Sequence, residues 1–311
     1  MSATSLRQAI TATLVGVLAV QSSSIPAMSG GVAVDEILAT QPGSGFTRQQ
    51  VAFAHAVSAV TVALVNTGAG GKAVSLCSAT IVHPRVVLTA AHCVLNVRDE
   101  PRRIAVLFDR VASRRQALDV IIHPGFLKNV RDRAPTSGAH RPEHGRTEID
   151  ILAISKDLAL VLLHRPIPEG YDLVAPVPRG FRDSHTATKL IAGYGAVGAS
   201  RSMDRLSLRF AELLGNSRLD EGGITGGSEI IMLSKYLNGA RVNACSGDSG
   251  GPILVLEQGV SRLRQLAVTS AADENCREAA IFAPIDAERD ALRSMFDALM
   301  QGEKGANLNP F

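Results

Sequence analysis

The apolar residues of this 311-residue chain fall into short runs cut apart by Gly, Pro, Asn and Asp, and that punctuation limits the fold more than any other feature. Strand-like runs are read at 58–65, 75–82, 104–108, 119–122, 158–163, 189–194, 206–213, 230–233, 252–256, 265–270 and 280–284. Each is shorter than the ~10 to 12 residues at which a helix becomes the better reading. Their Val, Ile and Leu content suits a pleated, half-buried surface. Long segments of helical period are not read between them, and neither a repeat nor a strand–helix alternation is apparent. The expectation is an all-β sandwich or barrel. Apolar residues make up 46% of the chain, enough for a substantial core and against disorder, and the absence of Trp leaves that core to aliphatic side chains. The formal charge of +3 comes from Lys and Arg spread along the chain, which offers no concentrated basic face and excludes nucleic acid as an expected partner.

Four stretches depart from the β pattern. Arg7, the apolar run 9–20 and the Gln21-to-Ala27 segment have the layout of a signal peptide, so 1–27 is set apart from the domain at 28–311. The run is short of the ~20 apolar residues that span a bilayer, which argues against a stable membrane anchor. Residues 30–45 read as an irregular arm, and 128–147, rich in Arg, His, Pro and Gly, as an exposed insertion loop. His140 and His144 stand four apart there, but Pro135, Pro142 and Gly145 oppose the helix that would make them metal ligands, so no metal is expected. At 286–300, Ala287, Leu292, Met295, Phe296, Leu299 and Met300 form a helical stripe with Asp286 as N-cap; residues from Gly302 onward read as a frayed tail. Export implies an oxidising compartment, in which four cysteines are read as paired; counting alone allows three pairings.

The chemistry is concentrated in Ala244-Cys245-Ser246-Gly247-Asp248-Ser249-Gly250-Gly251-Pro252. A nucleophilic Ser needs a tight turn that holds its hydroxyl clear of the backbone while N–H groups converge where an oxyanion forms. Glycines on both sides of Ser249 permit such a turn. Far upstream, Thr89-Ala90-Ala91-His92-Cys93 follows the apolar run Val86-Val87-Leu88 and offers a general base. Between the two, Asp157 opens the apolar strand Leu158 to Leu163, where a carboxylate could orient the imidazole. Asp150, before Ile151-Leu152-Ala153-Ile154, competes for that role.

On these residues the chain resembles the trypsin/chymotrypsin serine protease family, as a bacterial-type secreted member. Gly193-Tyr194-Gly195 and His123-Pro124 extend the likeness over most of 75–300. The resemblance implies two antiparallel six-stranded β-barrels with a C-terminal α-helix, and His92, Asp157 and Ser249 as a catalytic triad between the barrels. It implies an oxyanion hole of Gly247 and Ser249 N–H groups, no cofactor, and the disulfides Cys77 with Cys93 and Cys245 with Cys276. It places Asn243 at the base of the specificity pocket and Ala272 and Ala280 at its walls, favouring small or medium uncharged side chains, although Asp273 and Glu274 near the rim leave room for a cation. It makes Asp248 the partner of a new N-terminus, for which Met28-Ser29-Gly30-Gly31 is suited, or else a residue satisfied by local hydrogen bonds. The segment from Met28 to Cys77 is about twenty residues longer than the family pattern. The implied activity is a secreted or periplasmic serine endopeptidase acting on protein or peptide substrates, with room for a proteinaceous inhibitor. A non-catalytic binding protein on the same fold and an esterase-like hydrolase stay open beside it.

Overall fold

The computed structural model describes residues 31–39, 45–68, 71–132, 155–181, 187–195, 206–213, 230–233, 235–237, 240–256, 262–272, 276, 279–303 and 308–311. The signal segment, Asp150, His140, His144, Asp273, Glu274 and the Met28 start lie outside them.

The chain enters through a short strand and two helices that were not expected. Strand β1 (Val32–Ala33) leads into α1 (Val34–Ala39), where an irregular arm was read, and α2 (Arg48–Val60) follows. The start of α2 is a capping box: Thr47 Oγ1 accepts from Gln50 N–H at 3.1 Å, and Gln50 Oε1 accepts from Thr47 N–H at 2.8 Å. Its end corrects the run read at 58–65, because Ser58, Ala59 and Val60 complete the helix and the strand begins only at Thr61. Apolar residues continue across that junction without interruption, so hydrophobicity alone could not mark it.

The first half of the domain is a closed barrel. Strands β2 (Thr61–Thr67), β3 (Ala73–His83), β4 (Val86–Thr89), β5 (Ile104–Phe108), β6 (Ser113–Ile122) and β7 (Ala159–Leu163) close in the order β2-β3-β4-β7-β6-β5, every ladder antiparallel. Every residue of β2, β4 and β7 is buried, which explains why these strands are apolar without alternation. Short helix α3 (Ala91–Val94) follows β4, and α4 (Pro124–Asp132) follows β6. Helix α4 takes in residues 128–132, the beginning of what was read as an insertion loop.

The second half is an eight-stranded sheet. Strands β8 (Ala175–Pro176), β9 (Lys189–Gly193), β10 (Arg209–Leu213), β11 (Ile230–Leu233), β14 (Pro252–Leu256), β15 (Leu263–Ala272) and β16 (Ala279–Pro284) join β1 in the path β1-β10-β9-β14-β15-β16-β11, with β8 alongside β15. Strands β12 (Lys235–Leu237) and β13 (Ala240–Val242) form a separate hairpin. Where a second closed six-stranded barrel was expected, β1 and β11 are open ends among the described residues, and β1 adds a strand from the N-terminal arm. The all-β, chymotrypsin-like fold holds for the whole.

Two helices fasten the halves. Phe53, Ala54 and Val57 of α2 pack with Leu190, Ala192, Tyr194, Phe210 and Leu254 of the second sheet, although α2 feeds directly into the first barrel. The C-terminal helix α5 (Arg289–Leu299) buries Leu292, Met295, Phe296 and Leu299 in the core cluster of the first barrel. Its N-cap is Glu288 rather than Asp286, whose carboxylate is taken by Gly180 N–H at 2.8 Å and by the Arg289 guanidinium at 3.2 Å. Nor is the end of the chain frayed throughout: Phe311 is buried, its ring edge-on to Phe296 at 6.4 Å. Burying an aromatic ring offsets part of the entropy of holding the terminal residues in place.

Candidate active site

His92 is held by a helix that cannot cap itself. Helix α3 is four residues long, and its N-cap is Ala90, whose side chain has no acceptor for the free N–H groups of the first turn. Asp157 supplies one: its Oδ1 accepts from His92 N–H at 2.9 Å, while its Oδ2 lies 2.6 Å from His92 Nδ1. A single carboxylate thus fixes both backbone and ring of the same residue. At the other end of the helix, Asn66 Nδ2 donates to Cys93 O at 2.6 Å, and the Cys77–Cys93 disulfide ties the turn to β3.

Asp157 is 3% exposed and also accepts from Ser270 Oγ at 2.5 Å. Ser270 comes from β15, so the carboxylate is held from both halves of the molecule. The His92 side chain is about 40% exposed. Burial disfavours its charged form, but the hydrogen bond and negative charge of Asp157 outweigh that, and the His92 pKa is raised above its ordinary value.

The Ser249 loop is built by close contact with its surroundings. Gly247 and Gly250 adopt φ of 97° and 85°, in the left-handed region that favours glycine. A Cβ on Gly250 would stand 2.2 Å from both Ser78 O and Thr89 Oγ1, so at this position the first barrel leaves no space for a side chain. The same reasoning accounts for Gly193 and Gly195, where a Cβ would approach Asp248 Oδ1 to 2.3 and 2.8 Å. Asp248 is fully buried; its two oxygens accept from Gly195 N–H and Cys245 N–H, each at 2.9 Å.

Ser78 is the main fastener between this loop and the first barrel. Its N–H donates to Ser249 O at 2.7 Å, its hydroxyl donates to Gly247 O at 2.9 Å, and that hydroxyl accepts from Tyr194 N–H at 2.9 Å. The loop is closed from the other side by the Cys245–Cys276 disulfide and by Gly250 N–H to Thr269 O at 2.8 Å. Among the described residues, the N–H groups of Gly247 and Ser249 have no hydrogen-bond acceptor, and no hydrogen bond joins Ser249 Oγ to His92. His92 Nε2 lies 3.6 Å from Cys93 Sγ, and that sulfur lies 3.7 Å from Ser249 O, so His92 and Ser249 share one corner of the molecule.

The sequence assigns Asn243, Ala272 and Ala280 to a specificity pocket. Asn243 is fully buried, its Oδ1 accepting from Ala244 N–H at 3.0 Å. Ala272 and Ala280 are directly opposite partners in the β15–β16 ladder. Sequence reasoning had not assigned a role to Ser78 or to the contact of Ser270 with Asp157. The available signal was a small hydroxyl residue at a buried position of an otherwise apolar strand, which requires a hydrogen-bond partner somewhere.

A model of the trypsin family matches residues 49–292. Similar proteins include Transmembrane protease serine 11G of Mus musculus, 25% identical over 59% of this chain and 40% of its own length. Protein masquerade of Drosophila melanogaster is 29% identical over 61% of this chain and 18% of its own. Kallikrein 1-related peptidase b8 of Mus musculus is 26% identical over 58% of this chain and 65% of its own. The alignments thus span less than two thirds of the length of each of these relatives.

Proposed function

The chain belongs to the trypsin family of serine proteases, and on that footing we propose that it is a serine endopeptidase working through His92, Asp157 and Ser249. The observation that carries this reading is the 2.6 Å contact of His92 Nδ1 with a buried Asp157, at the corner where the Ser249 loop is pinned by Ser78. Asp157 holds Nδ1 protonated, which leaves Nε2 with its lone pair to take the proton of Ser249 Oγ as that oxygen attacks a peptide carbonyl. The oxyanion then accepts from the N–H groups of Gly247 and Ser249, a contribution of roughly 3 kcal/mol for each donor. His92 returns the proton to the leaving amine, and water repeats the sequence on the acyl-enzyme. The Ser249–His92 hydrogen bond closes when substrate fills the cleft, as catalytic hydrogen bonds that are open in free enzymes often do.

Specificity follows from charge. Asn243 puts a neutral side chain where a charged Lys or Arg of the substrate would need a carboxylate, and the Ala272 and Ala280 methyls narrow the slot. Cleavage is therefore expected after small or medium uncharged residues. The chain is exported in this reading, consistent with its two disulfides. No helix among the described residues is long and apolar enough to cross a membrane.

The test is fluorophosphonate labelling and peptide turnover of the processed protein beside Ser249→Ala. Labelling and turnover confined to the native protein are expected. Turnover retained by Ser249→Ala would overturn the mechanism. A native protein that neither labels nor cleaves, with its N-terminus at Met28, would favour a binding protein on the same fold, a reading to which the open Ser249–His92 side gives some support. Ester turnover without peptide turnover would favour the esterase.

A further inference from the structure

Away from the cleft, a surface depression of about 440 Å³ is lined by Arg114, Arg115, Gln116, His164 and Arg165. Two distant stretches build it. Strand β6 supplies residues 114–116, and the turn after β7 supplies 164–165, docked by His164 N–H on Gln116 O at 3.0 Å. The three guanidiniums keep their charge at any physiological pH. Among the described residues none of the three forms an ion pair with a carboxylate, although five other arginines of the chain do. Crowding like charges without an offsetting acid costs Coulomb energy, about 1 kcal/mol for a pair at 4 Å even in water.

One of these arginines is already oriented. Arg115 is half-buried; its Nε donates to Pro166 O at 2.9 Å, and its Nη1 donates to Ser113 Oγ at 2.6 Å and Arg114 O at 3.1 Å. Its Nη2 has no acceptor among the described residues. Arg114, His164 and Arg165 are exposed, and neither the Arg114 nor the Arg165 side chain donates a hydrogen bond to a described residue.

We propose that this depression is an anion-binding exosite for a compact, multiply charged oxyanion of the phosphate or sulfate class. A tetrahedral dianion carries more charge than a carboxylate and spreads three or four oxygens in three dimensions, so it suits several guanidinium forks better than a single-charged carboxylate with two coplanar oxygens. A hollow lined by five neighbouring residues suits a compact group better than an extended acidic segment, which would need a longer basic stripe. The exosite lies at the end of β7 remote from Asp157, roughly 20 Å away at about 3.3 Å per residue, so its ligand leaves the cleft clear. Free phosphates and phosphorylated or sulfated macromolecules carry the same chemistry.

The test is calorimetric titration of the full chain with inorganic pyrophosphate at 0.15 M salt, where exposed charges are screened beyond about 8 Å. Single-site binding is expected, weakened at least tenfold in Arg114→Ala/Arg165→Ala, with Ser249 labelling unchanged. Because the readout is binding, it stands apart from whether the chain is a protease. A sulfated oligosaccharide binding more tightly than pyrophosphate would identify a polymer as the source; the reverse order would identify a free phosphate. The proposal is overturned by no binding of pyrophosphate at millimolar concentration, by equal binding to the double variant, or by hexaglutamate binding as tightly as pyrophosphate, which would mark a surface for acidic proteins.

Discussion

The half that supplies His92 and Asp157 is a closed barrel with three strands buried throughout, whereas the half that supplies Ser249 holds it on a loop whose shape is imposed by its neighbour. On the His side the geometry is set mostly within one barrel, by a strand end, a four-residue helix and a disulfide, with Ser270 adding a hydrogen bond to Asp157 from the other half. On the Ser side it depends on glycines pressed against Ser78, Thr89 and Asp248, and on hydrogen bonds that cross between the halves. A family resemblance read from motifs treats the two halves as equals. In the structure one is a closed barrel that takes a few contacts from its neighbour, and the other shapes its Ser249 loop against that barrel.

That asymmetry makes distinct demands on substitutions. The largest effect is expected from Asp157→Asn, on the order of 10⁴ in turnover, with the fold intact because the closed barrel does not depend on that carboxylate. His92 must be neutral to act as base, so activity rises with pH through its pKa, which Asp157 raises above 6.5 against the effect of burial. Removing the carboxylate leaves burial alone, so the inflection of the pH–rate profile should fall below 6.5. An unchanged inflection would separate His92 from catalysis.

Next comes Gly250→Ala, on the dependent side. The new Cβ meets the Ser78 carbonyl and the buried Thr89 hydroxyl, which is itself tied to that carbonyl, so the Ser249 loop must shift, and a displacement near 1 Å costs about 10²-fold in labelling rate. Gly71→Ala is the control: its φ is also positive, at 75°, but nothing lies within 4 Å, and about 1 kcal/mol of stability with full labelling is expected. Equal effects at the two sites would show that backbone conformation, and not contact between the halves, governs the loop.

Ser78→Ala should cost about 2 to 4 kcal/mol in denaturant unfolding, because Tyr194 N–H and Gly247 O both lose their partner. Labelling should slow with it if Gly247 N–H serves the proposed oxyanion hole. The smallest effect separates the disulfides. Cys245–Cys276 closes 31 residues and Cys77–Cys93 closes 16, so on chain entropy alone removing the former costs about 0.6 kcal/mol more in unfolding. A larger loss for the 16-residue loop would show instead that the Cys77–Cys93 bridge stabilises the native His92 turn beyond its chain-entropy share.

Much of the site was legible because close backbone approach demands particular residues at particular spacings. The glycines flanking Ser249 and Tyr194 are there for lack of space, and that leaves a pattern in the chain itself. Helix α2 was also legible in principle: Thr47 and Gln50 form the capping box that marks its start, but the apolar run across Val60 and Thr61 obscured where it ends. Asp286 looked like an N-cap because it stands near the helix start, and only packing against Gly180 and Arg289 reassigned it. The spread of basic residues along the chain likewise concealed the cluster at 114–116 and 164–165, which strand pairing brings together.

The sequence by itself determined the β-rich fold, the positions of His92 and Ser249 in their motifs, and the chemistry those residue types can perform, because each rests on short-range geometry and on residue identity. Tertiary structure decided which carboxylate reaches His92, across 65 positions, and that Ser270 and Ser78 reach across 113 and 169 positions to hold Asp157 and Gly247. Such contacts follow from how buried strands stack and where their unpaired polar groups must find partners, and no local spacing records that outcome.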